Sequence, residues 1–187
     1  MDYLARSIAK YVQKITGVAE IAGDIFLIAA AGSLFSVYPN IWLQAAGISC
    51  LTANLIWLVW GDRAERLTAP LYTLLGLGII ASGCDLFGLS GRSSSEEILT
   101  GCIAALAGLL YGYGDFLLAH VAPRWRLGMN GHQLSHILYI PAIGGLFIDG
   151  LQQHSITLFL SAISYAIGNA GYYVVDYRAR VTAALAG

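Results

Sequence analysis

A chain of 187 residues that is 57% hydrophobic and only 11% charged falls outside the range of ordinary soluble domains, which carry about 25% charged residues. A formal net charge of −1 leaves no basic face for nucleic acid, so no nucleic-acid partner is expected. Glycine outnumbers proline 22 to 4 and mean hydropathy is +0.67, which excludes disordered, collagenous and disulfide-rich scaffolds.

In chain order, the first segment is residues 1–14. Leu4, Ile8, Tyr11 and Val12 share a face opposite Arg6, Lys10 and Lys14, the pattern of an interfacial amphipathic helix. Six apolar stretches follow, at about 15–37, 41–60, 69–90, 98–121, 133–151 and 155–177. Each approaches the ~20 residues a helix needs to cross ~30 Å of hydrocarbon. Backbone groups in lipid must be satisfied internally, so these stretches read as helices. The expected fold is all-α: a polytopic membrane bundle of six transmembrane helices over 15–180, followed by a short tail at 181–187.

The odd stretches carry Gly-Ser-Leu-Phe (32–35), Gly-Cys-Asp-Leu-Phe (83–87) and Gly-Gly-Leu-Phe (144–147) near their outer ends. The even ones end in Asn54…Asp62-Arg63, Asp115…Arg124 and Asn169…Asp176-Tyr177-Arg178. Their recurrence in step with the topology suggests three tandem helical hairpins, a build common among transporters. Cys50, Cys84 and Cys102 fall within the stretches without metal-type spacing and read as inert small apolar residues.

Nine of the ten basic residues fall on one side: Arg6, Lys10 and Lys14, then Arg63 and Arg66, Arg124 and Arg126, Arg178 and Arg180. Arg92 alone lies opposite, in the Ser-rich loop 90–97. By the positive-inside rule both termini are cytoplasmic, and the expected location is a bacterial cytoplasmic (inner) membrane.

Ionisable residues within a membrane span are functional candidates by default, because placing them in hydrocarbon is costly. At a rise of about 1.5 Å per residue, Glu20, Asp115 and His136 lie several ångströms inside the cytoplasmic ends of their helices, and Asp24 one turn deeper than Glu20. Asn54 and Asn169 fall at similar depth, in the slab that also holds Tyr111, Tyr113, Tyr139, Tyr172 and Tyr173. This asymmetry suggests a polar pocket in the cytoplasmic half. Interhelical hydrogen bonding that fixes packing is the competing reading, above all for Asn54 and Asn169. Ala104, Gly108 and Gly112, spaced by four, form a small-residue face that permits close helix approach. Asp115 continues that face, so its carboxyl is expected to point into the bundle and serve as a general acid. His132 and His136 share a face, but Gln133 stands where a zinc-binding helix motif would place Glu, and no metal site is expected.

The run Gly-Leu-Leu-Tyr-Gly-Tyr-Gly-Asp-Phe-Leu-Leu (108–118), followed by Pro-Arg-Trp-Arg-Leu (123–127) and Leu-Ser-His-Ile-Leu-Tyr (134–139), resembles the YhhN-type lysoplasmalogenase family. Gly114, Asp115, His136 and Tyr139 fill that family's motif positions. Gly168-Asn169 with Tyr177-Arg178 resembles its second element. The chain departs from the family in having six stretches rather than about eight. The resemblance implies hydrolysis of a vinyl-ether bond in a membrane lipid, with no metal or organic cofactor. Asp115 would donate the proton, His136 would orient it or activate water, and Glu20 and Asp24 would stabilise positive charge in the transition state. Tyr139, Tyr111, Asn54, Asn169 and Tyr172 would contact the substrate. A small-solute or proton-coupled transporter and a non-catalytic subunit of a larger membrane complex are the alternatives. Homo-oligomer or membrane-complex partners stay open. Cysteines placed one at a time in loop 90–97 should react with an impermeant maleimide only from the non-cytoplasmic side, and labelling from the cytoplasm would invert the topology.

Overall fold

The structure, a computed structural model, describes the backbone of residues 2–32, 40–90, 93–121 and 130–186, and side chains between 11 and 173 except 13, 62 and 121. The motif residues 33–35 and 123–127, Arg92, and the side chains of Asp176, Tyr177 and Arg178 lie outside the described residues. Six long helices account for nearly all of the rest: α1 (Asp2–Ala31), α2 (Ile41–Trp60), α3 (Glu65–Gly83), α4 (Ser95–Val121), α5 (Gly131–Gln152) and α6 (Ile156–Ala186).

Two boundaries differ from the sequence reading, at the third and last helices, while α1 runs unbroken through residues 14 and 15. The third helix begins four residues earlier than expected and stops at Gly83, because Asp85 and Phe87 adopt left-handed backbone conformations just beyond it. The last helix continues to Ala186, through the segment expected as a tail. Its alanine-rich end has high intrinsic helix propensity.

Each helix packs on its neighbours in sequence and α6 closes on α1, while the backbones of non-neighbouring helices stay apart among the described residues. The helices therefore form a ring. Short connections, such as the four residues Gly61–Ala64 between α2 and α3, make sequential helices antiparallel.

Among the described residues, three helices are long and apolar enough to cross a membrane: Ile41–Trp60, Ser95–His120 and Gly131–Gln152. Six were expected. The other three fall short because polar residues interrupt them: Lys14, Glu20 and Asp24 in α1, Glu65 and Arg66 in α3, and the Ser161, Asn169 and tyrosine positions of α6. The outward faces are apolar. Ile48, Leu55 and Val59 of α2, Leu106 and Phe116 of α4, and Ile140, Ile148 and Leu151 of α5 are all exposed, more apolar surface than a water-facing monomer normally carries.

The tightest seam joins α3 and α4. A Cβ on Gly108 would strike the backbone of Tyr72 and Thr73, and one on Gly76 would strike Ala105 and Gly101. The expected small-residue face of α4 is thus the surface that seats α3. At the far end of the ring, Asn40 caps α2 by accepting from the Leu43 N–H (3.1 Å). Its amide donates to Ser82 Oγ (2.7 Å), and Ser82 donates to Glu97 Oε2 (2.6 Å). That chain ties α2, α3 and α4 together. Gly108→Leu is expected to destabilise the detergent-solubilised protein by about 1–3 kcal/mol or more, the usual cost of overpacking, read as the shift of its unfolding transition.

Candidate functional site

The ring leaves space near its axis. Here that space is a partly open pocket of about 660 Å³, and all six helices line it. One side of its wall is aliphatic, with Leu75, Ile79, Ala142, Ile143 and Leu146. Glu20 from α1, Tyr72 from α3, Tyr111 from α4, His136 and Tyr139 from α5, and Asn169 and Tyr172 from α6 supply its polar groups. An apolar pocket with a few converging polar groups is the usual form of a small-molecule site.

Two hydrogen-bonded clusters hold this wall. The first is centred on Asp24, which is fully buried. Asp24 Oδ1 accepts from the Tyr165 hydroxyl (2.5 Å) and Oδ2 from the Asn54 amide (2.8 Å). Asn54 Oδ1 in turn accepts from the Tyr72 hydroxyl (2.6 Å). Buried carboxyl groups need such donors, because unsatisfied polar groups away from water are costly. Asn54 thus bridges helices behind the cavity wall, as the packing reading of the sequence has it.

The second cluster joins α5 to α6. His136 Nδ1 lies 2.7 Å from Asn169 Oδ1, and the Asn169 amide donates to the His136 carbonyl (2.9 Å). His136 Nε2 lies 3.2 Å from His132 Nε2. His132 Nδ1 is buried without a hydrogen bond and faces Glu65 Oε1 at 3.8 Å. The two histidines therefore contact each other rather than forming part of a larger set of ligands. Among the described residues no group of three or more His, Cys, Asp or Glu side chains converges.

Glu20 and Tyr139 stand apart from both clusters. The Glu20 carboxyl makes no hydrogen bond among the described residues, and its stem packs across Gly168 of α6, where a Cβ would collide with it. The Tyr139 hydroxyl is buried with no partner. Two polar groups on the cavity wall thus lie outside both hydrogen-bonded clusters.

Asp115 is the residue that departs most from expectation. It does not point into the bundle: it is exposed and lines a second, open pocket of about 910 Å³ together with Glu65, Arg66, Tyr111 and His132. Its Oδ1 accepts from the Gly131 N–H (2.7 Å). The reason is local. Gly114 and Gly131 meet backbone to backbone, which brings the free N–H groups at the start of α5 up to the next residue of α4. A carboxylate there satisfies an orphan donor and complements the positive end of the helix. Of the expected constellation, Glu20, His136, Tyr139, Tyr111, Asn169 and Tyr172 share one cavity, Asp24 and Asn54 sit behind its wall, and Asp115 does not join them.

Tyr72 and Tyr165, the donors that hold the Asp24 cluster, were not among the sequence candidates, nor was Glu65. A signal for Tyr165 was present, since Tyr165, Asn169 and Tyr172 follow one another at helical spacing. Nothing comparable marks Tyr72. Comparison with protein-family models, with curated proteins and with solved structures found no match.

Tyr165→Phe removes a donor from a fully buried carboxyl and should lower stability by about 1–3 kcal/mol. Asp115→Ala should cost about 0.5–2 kcal/mol, as loss of a helix-start acceptor does, and leave ligand binding in the cavity unchanged. Thermal unfolding and calorimetric titration of the two variants check both statements.

Proposed function

We propose that this is a six-span integral membrane protein, both termini cytoplasmic, that hydrolyses an amphipathic lipid of the vinyl-ether class within its central cavity. One observation carries the reading: a glutamate carboxyl without a hydrogen bond among the described residues stands on the wall of a cavity lined by aliphatic and aromatic side chains, one helical turn from a second carboxyl held by two hydrogen bonds. The local resemblance to lysoplasmalogenases supports the same chemistry, but the proton donor is reassigned. Asp115, engaged with the start of α5, is replaced in that role by Glu20.

In this mechanism the aliphatic chain lies against Leu75, Ile79, Ile143 and Leu146, and the headgroup reaches toward the open pocket where Arg66 offers a counter-charge. Glu20 gives its proton to the vinyl carbon remote from the ether oxygen, leaving an oxocarbenium ion. The Asp24 carboxylate, fixed by Tyr165 and Asn54, stabilises that positive charge without having to reorganise. Water adds to the carbon bearing the oxygen, and its proton returns to Glu20. The hemiacetal then collapses to an aldehyde and an alcohol, so acid and base are the same residue in turn. The Tyr139 hydroxyl is free to donate to the ether oxygen and fix the register of the chain.

Purified protein assayed on a lysoplasmalogen should lose about 100-fold or more in kcat on Glu20→Gln, the usual scale of general acid catalysis. Asp115→Asn should keep kcat within a few-fold. Equal turnover by wild type and Glu20→Gln would remove Glu20 from the mechanism. A carrier reading draws on the position of the cavity, on the ring axis with a contribution from every helix. Proton-coupled uptake into vesicles that is abolished by Asp24→Asn, with no lipid hydrolysis, would put it first.

A further inference from the structure

The central cavity changes character along its length. On α3 its wall runs from Tyr72 to Leu75 and Ile79, and on α5 from His136 and Tyr139 to Ala142, Ile143 and Leu146. These two helices run the same way, since each is antiparallel to α4 between them. The end nearer the starts of α3 and α5 is therefore polar and aromatic, and the other end is aliphatic.

The polar end carries one sign of charge. Glu20 stands on its wall, and Asp24 follows one helical turn along α1. The described residues that line the cavity include no Lys or Arg; Arg66 belongs to the separate open pocket. Carboxylates in a low-dielectric interior call for a positive partner. Glu20 lies within electrostatic reach of the Tyr72 and Tyr139 hydroxyls, and the Tyr139 hydroxyl is buried there with no hydrogen bond among the described residues.

Aromatic rings complete this end. Tyr111 meets Tyr72 edge to face, with centroids 5.0 Å apart and planes at 70°. It meets His136 at 6.2 Å and 83°, and Tyr172 stacks on His136 at 5.9 Å and 29°. Planes set near right angles turn their faces in more than one direction, as the walls of an aromatic box do. The negative faces of such rings attract organic cations. A bare metal ion suits the wall less well. Calcium takes about six to eight oxygens, and among the described residues no three His, Cys, Asp or Glu side chains converge.

We propose that the central cavity binds an organic ammonium ion borne on an apolar chain. The ammonium group pairs with the ionised Glu20 carboxylate among the rings of Tyr72, Tyr111 and Tyr172, and the Tyr139 oxygen accepts from its N–H. The chain runs along the axis over Leu75, Ile79, Ile143 and Leu146. Asp24, held by Tyr165 and Asn54, adds a fixed negative charge behind the wall. Binding rests on this wall alone, whereas its effect on catalysis rests on the hydrolase reading. A bound amine holds Glu20 in the form that has no proton to give, and sets a stable positive charge where the oxocarbenium ion would form. Mimics of a transition state bind more tightly than substrates do, so the same amine is an inhibitor.

Calorimetric titration of the purified protein in a non-ionic detergent tests the site with two probes of equal length. Hexylamine is protonated at neutral pH, as a lysine side chain is, and hexan-1-ol is uncharged. Hexylammonium should bind saturably and about 30-fold or more tightly than the alcohol, the scale of one buried charge pair. Glu20→Gln should remove that preference. Tyr111→Phe should keep it, and Tyr111→Leu should weaken amine binding about 10-fold, because the ring face and not the hydroxyl is needed. The comparison of the two probes on the wild-type protein requires no variant to fold. Equal affinity for amine and alcohol, full affinity in a folded Glu20→Gln or Tyr111→Leu protein, or displacement of the amine by an equal concentration of sodium or calcium overturns the proposal. Lysoplasmalogen turnover with and without hexylamine is measured alongside. Selective amine binding by a protein that hydrolyses nothing would retain the site and reject the hydrolase reading, whereas hydrolysis by a protein that does not prefer the amine would do the reverse.

Discussion

The Asp24 carboxyl is the point on which the ring depends. It is fully buried in a helix that has apolar neighbours on most sides, and its two oxygens are satisfied by Tyr165 from α6 and Asn54 from α2. Through the Tyr72 hydroxyl the same cluster reaches α3. Within a low-dielectric bundle such a group cannot be left without donors, so four helices are obliged to present theirs at one depth. In a membrane, apolar packing alone selects weakly among helix arrangements, because lipid is as good a neighbour as another helix. A shared polar centre supplies the selectivity. It also closes the ring, since α1 and α6 lie at opposite ends of the sequence.

Closure of the ring has a direct consequence for chemistry. Inward residues of all six helices meet around a cavity near its axis. Small residues let the helices approach where the seam is tight, as at Gly108, and leave room for long side chains where it is not, as where Gly168 admits the stem of Glu20. The cavity is lined by side chains whose directions are fixed from behind. Preorganised groups of this kind need no rearrangement when charge develops nearby.

The Asp115 carboxyl shows how a residue on a small-residue flank can serve a purpose other than burial. The backbone contact between Gly114 and Gly131 decides this, because it places the first N–H of α5 within reach. A helix terminus is a stronger claimant for a nearby carboxylate than an empty cavity. The adjoining open pocket, with Glu65, Arg66 and His132, is the product of the same turn of structure.

Composition and periodicity determined that this chain is a helical bundle and located six helices, with the extents of the first, third and last left to the structure. They also marked the depth at which Glu20, Asp24, Asn54, His136 and Asn169 would lie, because a rise of ~1.5 Å per residue converts position into depth directly. They did not determine which side each polar residue faces, since a helix can be turned about its axis without altering its hydropathy. Tertiary structure made that decision through contacts between residues distant in sequence. Tyr165 meets Asp24 across 141 positions, and neither residue's neighbours encode the other. The exposed position of Asp115, bonded to the Gly131 N–H, follows from the close approach of a glycine pair on two helices. Depth is a one-dimensional property that the sequence carries by itself, whereas the direction of a side chain within the bundle exists only once the other helices are in place.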